Sequence, residues 1–351
     1  MTGSKERVRA MLSGEKRDRP PIYDLLRNDA VIAHFAGEPA TVENGPEVVF
    51  RAYEPAIDAT RPLIRTPNPE REETLPDGRR RRYYRWTIWD SPRQFASADE
   101  YVNEKKRLLD RFDDCWTAAR QAALDTKLAE HASEQARLGE VYRFPTGPCE
   151  WLTNLYHETG LDQFVYLLAD HPGLIEQLLE MNAVETILWA EHLPADSGLD
   201  AVFLADDLAY KTGPLFNPRW LERVYIPRLA RILEAFHRRG IKVVFHSDGN
   251  LWRILDAIVC TGIDALNPIE VMAGMDAGEI HRRYPHLLLM GGIDVSDLLV
   301  FGTPAAIRDT VRRTIDAAEG RIMIGSSTEL HDAVPLVNFL AMRDAVLEFR
   351  L

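Results

Sequence analysis

The five residues His246-Ser247-Asp248-Gly249-Asn250 carry the densest chemical information in this 351-residue chain. An imidazole and a carboxylate stand two residues apart. They directly follow the apolar run Val243-Val244-Phe245 and precede an amphipathic run over 251–259. Such a pair can bind a metal or move protons, and buried polar groups of this kind need a metal, a substrate or each other as partners. Similar polar residues follow other apolar runs. Asp206-Asp207 follow 201–205, Asn267-Pro268-Ile269-Glu270 follow 263–266, and Gly291-Gly292-Ile293-Asp294 follow 287–290. Gly325-Ser326-Ser327-Thr328-Glu329-Leu330-His331 follow 321–324, and near the start Tyr23-Asp24 leads to Arg27-Asn28-Asp29. Adjacent carboxylates repel, so Asp206 and Asp207 make sense beside a cation such as a metal, Arg27 or Lys211. Taken singly, each of these aspartates has a helix-capping reading. Taken together, they point to one functional site.

The elements that must position these groups alternate. Strand-like runs are expected at 21–25, 56–61, 141–144, 201–205, 242–245, 263–266, 287–290 and 321–324. Amphipathic helices are expected at 218–239, 251–261, 277–284 and 304–319. This alternation means right-handed βαβ units and a parallel sheet. Eight such strands close into an α/β (β/α)8 TIM barrel, whose carboxyl-end mouth collects ligands and chemistry. No GxGxxG or Walker A sequence supports an open nucleotide-binding sheet instead. The chain reads as a single domain over 1–351. It carries an N-terminal β-hairpin insertion at about 73–90 and a charged helical insertion at about 99–138 that covers one end of the barrel or forms a partner surface.

Composition narrows the function classes. A net charge of −12 argues against a nucleic-acid partner, and the basic run Arg79–Arg82 reads as the tip and return strand of the hairpin. No apolar run approaches the roughly 18–20 residues that cross a bilayer, and the polar start has no signal-peptide core, so a cytoplasmic protein is expected. The three cysteines form no metal-binding spacing. Cys115 and Cys260 read as buried in helices, and Cys149 as packing rather than reactive.

The strand-end sequences, in this order, resemble the uroporphyrinogen decarboxylase superfamily, most strongly over 144–342. The segment 144–160, the stretch from Asp206 to Pro218, Thr261-Gly262-Ile263-Asp264, Gly292-Ile293-Asp294, Gly325 and Pro335 carry the match. The resemblance implies the (β/α)8 fold and either of two chemistries, cofactor-free decarboxylation or methyl transfer involving a corrinoid protein, usually with zinc. Leu25-Leu26-Arg27-Asn28-Asp29-Ala30 stands where decarboxylases have Arg-x-x-Gly-Arg-Tyr, leaving one arginine between Asp24 and Asp29. Ser326 stands where they have a histidine. His246 matches the histidine of the methyltransferases' His-x-Cys pair. Asp248 replaces the first cysteine of that branch and Ser326 the second.

The resemblance therefore favours a methyltransferase that moves a methyl group from a small methoxylated or methylated substrate to a corrinoid on a separate partner protein. Zinc is a candidate cofactor at His246, Asp248 and Glu270. Asp206, Asp207, His246 and His331 are the expected catalytic residues. Asp24, Arg27, Asn28, Trp151, Tyr156, Tyr210, Asn267, Glu270, Asp294 and Ser326 are expected to bind substrate, with Tyr23 among the guiding aromatics. A homodimer is also implied. The alternatives are a decarboxylase using Arg27, Asp206 and His331, and a non-catalytic barrel that binds a small molecule.

Overall fold

The computed structural model describes residues 2–15 and 18–351. Five strands form a parallel sheet in the order Ile322–Ser326, Leu288–Ile293, Ala265–Ile269, Lys242–His246, Ala201–Ala205. Ile22 bridges Ile324, Tyr23 bridges Ala59, and the Ala59–Thr60 strand pairs in parallel with Tyr142–Arg143. The Phe203 N–H then donates to the Pro145 carbonyl at 2.7 Å. Hydrogen bonds thus link eight successive segments, each to its neighbour, in the order that a (β/α)8 barrel requires.

The expected strands are present, but most of the late ones extend further than their apolar runs. His246, Asn267-Pro268-Ile269, Gly291-Gly292-Ile293 and Gly325-Ser326 all lie within strands. Polar and glycine residues hid those ends in the sequence. The first segment departs most: only its bridges lie within 21–25, and its paired strand, Leu26–Arg27, joins Leu330–His331 beyond it. The helix expected over 218–239 is interrupted by a wider turn at Leu221–Tyr225 before Ile226–His237. Pro227 lacks the N–H that a regular helix would use there.

Alternate strand residues face two different apolar regions. Tyr23, Ala59, Tyr142, Phe144, Ala201, Phe203, Val244, Ala265, Leu288, Met290 and Met323 pack together as one cluster on one side of the strands. Val8, Met11 and Leu12 of the Ser4–Leu12 helix join that cluster. Val202, Leu204, Val243, Phe245, Leu266, Leu289, Ile322 and Ile324 pack outward against the helices. At the seam between first and last strands, a Cβ on Gly325 would lie 1.7 Å from the Tyr23 carbonyl oxygen, so only glycine fits.

The hairpin insertion is larger than expected. Arg71–Thr74, Arg80–Tyr83 and Ile88–Asp90 form a three-stranded antiparallel sheet. Its basic run is largely neutralised, with Arg79 and Arg81 against Asp90 and Arg80 against Glu72. The helical insertion is two helices, Ala98–Asp110 and Ala118–Arg137, capped by the Ser97 and Thr117 side chains. Cys115 lies between them and is exposed. Cys260 is exposed too, because Leu255, Ile258 and Val259 take the buried face of its helix. Cys149 is half-buried, and burial pushes its thiol up to about 11, which suits packing. No helix among the described residues is long and apolar enough to cross a membrane.

Asp58 ties the amino-terminal helix to this frame. Its carboxylate accepts from Ser4 Oγ (2.6 Å), Arg7 Nη1 (2.8 Å), Arg19 Nη1 (2.6 Å) and the Ile22 N–H (2.8 Å). Burial works to raise its pKa, but Arg19, Ser4 and the Ile22 N–H prevail and hold it below the usual carboxylate range. Removing this charge takes from buried Arg7 one of its two carboxylate partners, leaving Asp18, and from Arg19 the other half of its pair, so Asp58→Asn is expected to cost about 2 kcal/mol in urea unfolding at pH 7. A depressed folded pKa stabilises above the unfolded value and loses that contribution as pH falls through the folded value. The gap between wild type and variant should therefore shrink below about pH 4, and an unchanged gap at pH 3 would reject the assignment.

Candidate functional site

The strand register decides which polar residues meet. Phe203 and Val244 face inward, so Ala205 and Asp207, His246 and Asp248 follow on the same side. These residues line a cavity of about 920 Å³ at the carboxyl ends of the strands. Trp89, Trp116, Trp189, Phe203, Pro62, Leu63 and Pro148 supply much of its apolar wall. The two insertions thus reach the cavity, through Trp89 of the small sheet and through Ala119, Arg120, Ala123 and Lys127 of the Ala118–Arg137 helix.

His246 is buried, at 5% exposure. Its Nδ1 lies 2.7 Å from Asn267 Oδ1, on the neighbouring strand and in register with it. An amide oxygen only accepts, so Nδ1 carries the proton and Nε2 presents its lone pair. That lone pair faces two carboxylates, Asp207 Oδ1 at 3.8 Å and Asp248 Oδ1 at 3.9 Å. The three ligand atoms lie within 4.8 Å of one another. Asp248 Oδ1 is buried without a hydrogen-bond partner, while Asp207 Oδ1 accepts only the Asp248 N–H, at 3.1 Å. Three acceptors converging without a proton between them suit a cation. One imidazole and two carboxylates are ligand types, and three a ligand number, that could hold a divalent metal ion. The donor set is harder than His/Cys₂, being one imidazole and two carboxylates.

Electrostatics around the site are unusual. Burial and the Arg61 guanidinium push the His246 pKa down, keeping the imidazole neutral. Burial and Asp207 push Asp248 up. Arg61 Nη1 lies 3.0 Å from His246 Nδ1 and 3.3 Å from Nε2. Near-equal distances to both ring nitrogens exclude a linear bond to either lone pair, so Arg61 acts as a charge beside the ring. Gly249 permits this loop, because its φ is +92° and a Cβ would lie 2.5 Å from the Ala209 backbone.

Other expected site residues serve the scaffold. Asp206, one residue out of register with Asp207, turns its carboxylate toward the Trp151–Thr159 helix. It accepts from the N–H groups of Leu152 (2.9 Å) and Thr153 (2.7 Å) and from Thr153 Oγ1 (2.6 Å). It replaces the local cap, since Glu150 at that position has left-handed φ and caps nothing with its side chain. Burial raises the Asp206 pKa to about 6 against those bonds. Asp24 accepts from Ser326 Oγ (2.8 Å) and the Ser326 N–H (3.0 Å), which joins the first segment to the last strand. Asn28 caps its own helix, and its amide donates to the His331 and Val334 carbonyls. Asp294 accepts three backbone N–H groups, from Ser296, Asp297 and Leu298.

Glu270, expected as a metal ligand, instead accepts the Gly249 N–H at 2.6 Å and stands outside the acceptor cluster. His331 meets the Val295 carbonyl and the Ala333 N–H, away from the cavity. Trp151 donates to Thr186 and Tyr156 to the Asp207 carbonyl, both buried behind the cavity wall. Tyr23 packs edge-on to Phe144 below it. Tyr210 is 63% exposed on a separate two-stranded turn. Arg27 does line the cavity, paired with Glu329 at 2.5 Å. Asn267 supports His246 and is not part of the wall. Sequence reasoning missed Arg61 and Glu150, which both line the cavity. Arg61 follows inward-facing Ala59 by two residues, a register that only the strand pairing reveals.

The uroporphyrinogen decarboxylase family model matches residues 136–349. The chain belongs to that family. A curated relative, the methylcobamide:CoM methyltransferase MtbA of Methanosarcina mazei, is 22% identical over 200 residues, 57% of this chain. The alignment spans about half, 53%, of that relative's length. A solved methyltransferase from Methanosarcina mazei shares the fold over 99% of both chains, with a TM-score of 0.68 at 17% identity. Within this member of the uroporphyrinogen decarboxylase family, the matched segment carries Asp207, His246 and Asp248, whereas Arg61 precedes it.

The adjacent aspartates should separate by measurement. Asp206→Asn is expected to lose about 2–4 kcal/mol in urea unfolding, because it sets an amide against helix N–H donors. Asp207→Asn should stay within about 1 kcal/mol of wild type, since it accepts one backbone bond at the cavity wall. Equal losses would reverse the division of labour.

Proposed function

We propose that this chain is a closed (β/α)8 barrel enzyme that moves a methyl group from a small methoxylated or methylated substrate to a reduced corrinoid on a partner protein, assisted by zinc. The observation that carries this reading is the convergence of Asp207 Oδ1, His246 Nε2 and unpartnered Asp248 Oδ1 on one wall of the cavity. The family and the named activities of the two similar methyltransferases support it.

In this reading Asp207, His246 and Asp248 hold the metal. Zinc bound there supplies a Lewis acid for the oxygen that loses its methyl group. The chain's own residues set the conditions. Asn267 fixes the imidazole so that Nε2 points at the two carboxylates. Burial and Arg61 keep that imidazole neutral and available as a ligand. The aromatic walls hold a flat substrate body and exclude water from the reacting carbon. A reduced corrinoid on the partner would supply the electron pair that takes up the methyl group, while Asp207, His246 and Asp248 would hold the zinc that steadies the charge left on the substrate oxygen.

A second reading, decarboxylation, draws on one observation. Arg27 and Arg61 both line the cavity, although the sequence offered only Arg27 for a carboxylated substrate. One set of measurements decides between them. Purified wild type should contain about one equivalent of zinc, and His246→Ala with Asp248→Ala should contain almost none. Wild type should convert cob(I)alamin to its methylated form in the presence of a methoxylated compound, followed by absorbance, and chelation should abolish this. Metal-free protein that releases carbon dioxide without corrinoid would establish decarboxylation and overturn the proposal.

A further inference from the structure

We propose that Arg61 is an anion-recognition residue, so that the substrate of this cavity carries a carboxylate on a flat apolar body. The inference rests on the reading of the cavity as the substrate site, and it names the substrate's chemical class.

Arg61 is only 7% exposed and lines the cavity. Among the described residues it forms no hydrogen bond or ion pair with a carboxylate. Its one polar contact is through Nη1, to the ring nitrogens of His246. Nε is enclosed with no hydrogen-bond partner, and among the described residues Nη2 makes no hydrogen bond either. A small rotation of the side chain as a ligand enters would turn Nε and Nη2, two parallel N–H donors with the spacing of a carboxylate's two oxygens, toward the cavity for bidentate recognition. A guanidinium cannot escape burial by losing its proton, and Arg61 feels Asp248, Glu150 and Asp24 only through space, so a ligand anion in direct contact would take a place that no carboxylate of the described residues fills.

Arg27, also buried in the wall, differs because Glu329 already pairs with it at 2.5 Å. Arg120 is likewise paired, with Glu185 at 2.7 Å. Arg61 is thus the cavity arginine left for a ligand. Its guanidinium carbon sits 5.6 Å from the Phe203 ring centroid, and Trp89, Trp116 and Trp189 line the same space. A carboxylate on Arg61 would lay an attached ring among these aromatics, beside His246.

The test is equilibrium binding, which needs neither turnover nor corrinoid. The probes are 4-methoxybenzoate and its uncharged near-isostere 4-methoxybenzamide, titrated against the quenching of cavity tryptophan fluorescence. Wild type should bind the carboxylate about 10- to 100-fold more tightly than the amide, the range for charge-assisted hydrogen bonds. Arg61→Met should bring the two affinities together by weakening only the carboxylate. Arg61→Lys keeps the charge without the fork, and should lose at least about 3-fold of the preference. If the methionine variant does not fold, the lysine variant decides. Equal wild-type affinities, no measurable carboxylate binding, or a preference unchanged in the Arg61 variants would each overturn the proposal. A retained preference with no methyl transfer from the bound carboxylate would leave the anion site standing and remove the methyltransferase reading.

Discussion

A parallel strand buried on both faces sends successive side chains to two different places, and the whole site depends on that alternation. Phe203 inward implies Asp207 inward; Val244 inward implies His246 and Asp248 inward; Ala59 inward implies Arg61 inward. Ligand chemistry is thus assembled from strands far apart in sequence, with no need for a local motif. The residues one step out of phase, Asp206, Ser247, Asp24 and Ser326, meet backbone groups of the surrounding loops and helices. A shift of one residue in any of these strands would exchange the two sets.

The outward set accounts for many of the acids that crowd this mouth. Each segment after a strand exposes N–H groups that have no partner of their own. Asp206 satisfies the start of the Trp151–Thr159 helix, Asp294 a tight turn before Leu298–Phe301, and Asn28 the start of Asp29–Ala36. Glu270 does the same for Gly249, the residue next to Asp248. These carboxylates are structural supports for the few side chains that remain free.

Much of the fold was legible in the sequence, because apolar runs of five or so residues separated by amphipathic stretches leave little choice of topology. The Ala201–Ala205 strand matched its expected bounds, and His246 with Asp248 was singled out by its place after an apolar run. The site was less legible. The residue types that cap helices are those that bind metals, so Asp206 and Asp294 looked like Asp207 and Asp248 until register separated them. Arg61 sat after a two-residue strand too short to show a period, and Glu150 in a loop whose left-handed backbone no residue type announces. Cys260 was misjudged for a similar reason, since a six-residue helix gives too few turns to define its buried face.

The charges of the cavity decide which kind of ligand suits it. Asp207 and Asp248 place two carboxylates around Nε2, and Glu150, raised by burial and by Asp207, adds a third acid nearby. Arg61 alone does not balance them. A dication placed among these acids would neutralise much of that field, so the same carboxylates that leave the pocket negative make a cation the ligand that suits it. Burial and Arg61 both oppose protonation of His246, which keeps its Nε2 lone pair available on the side where the two aspartates converge.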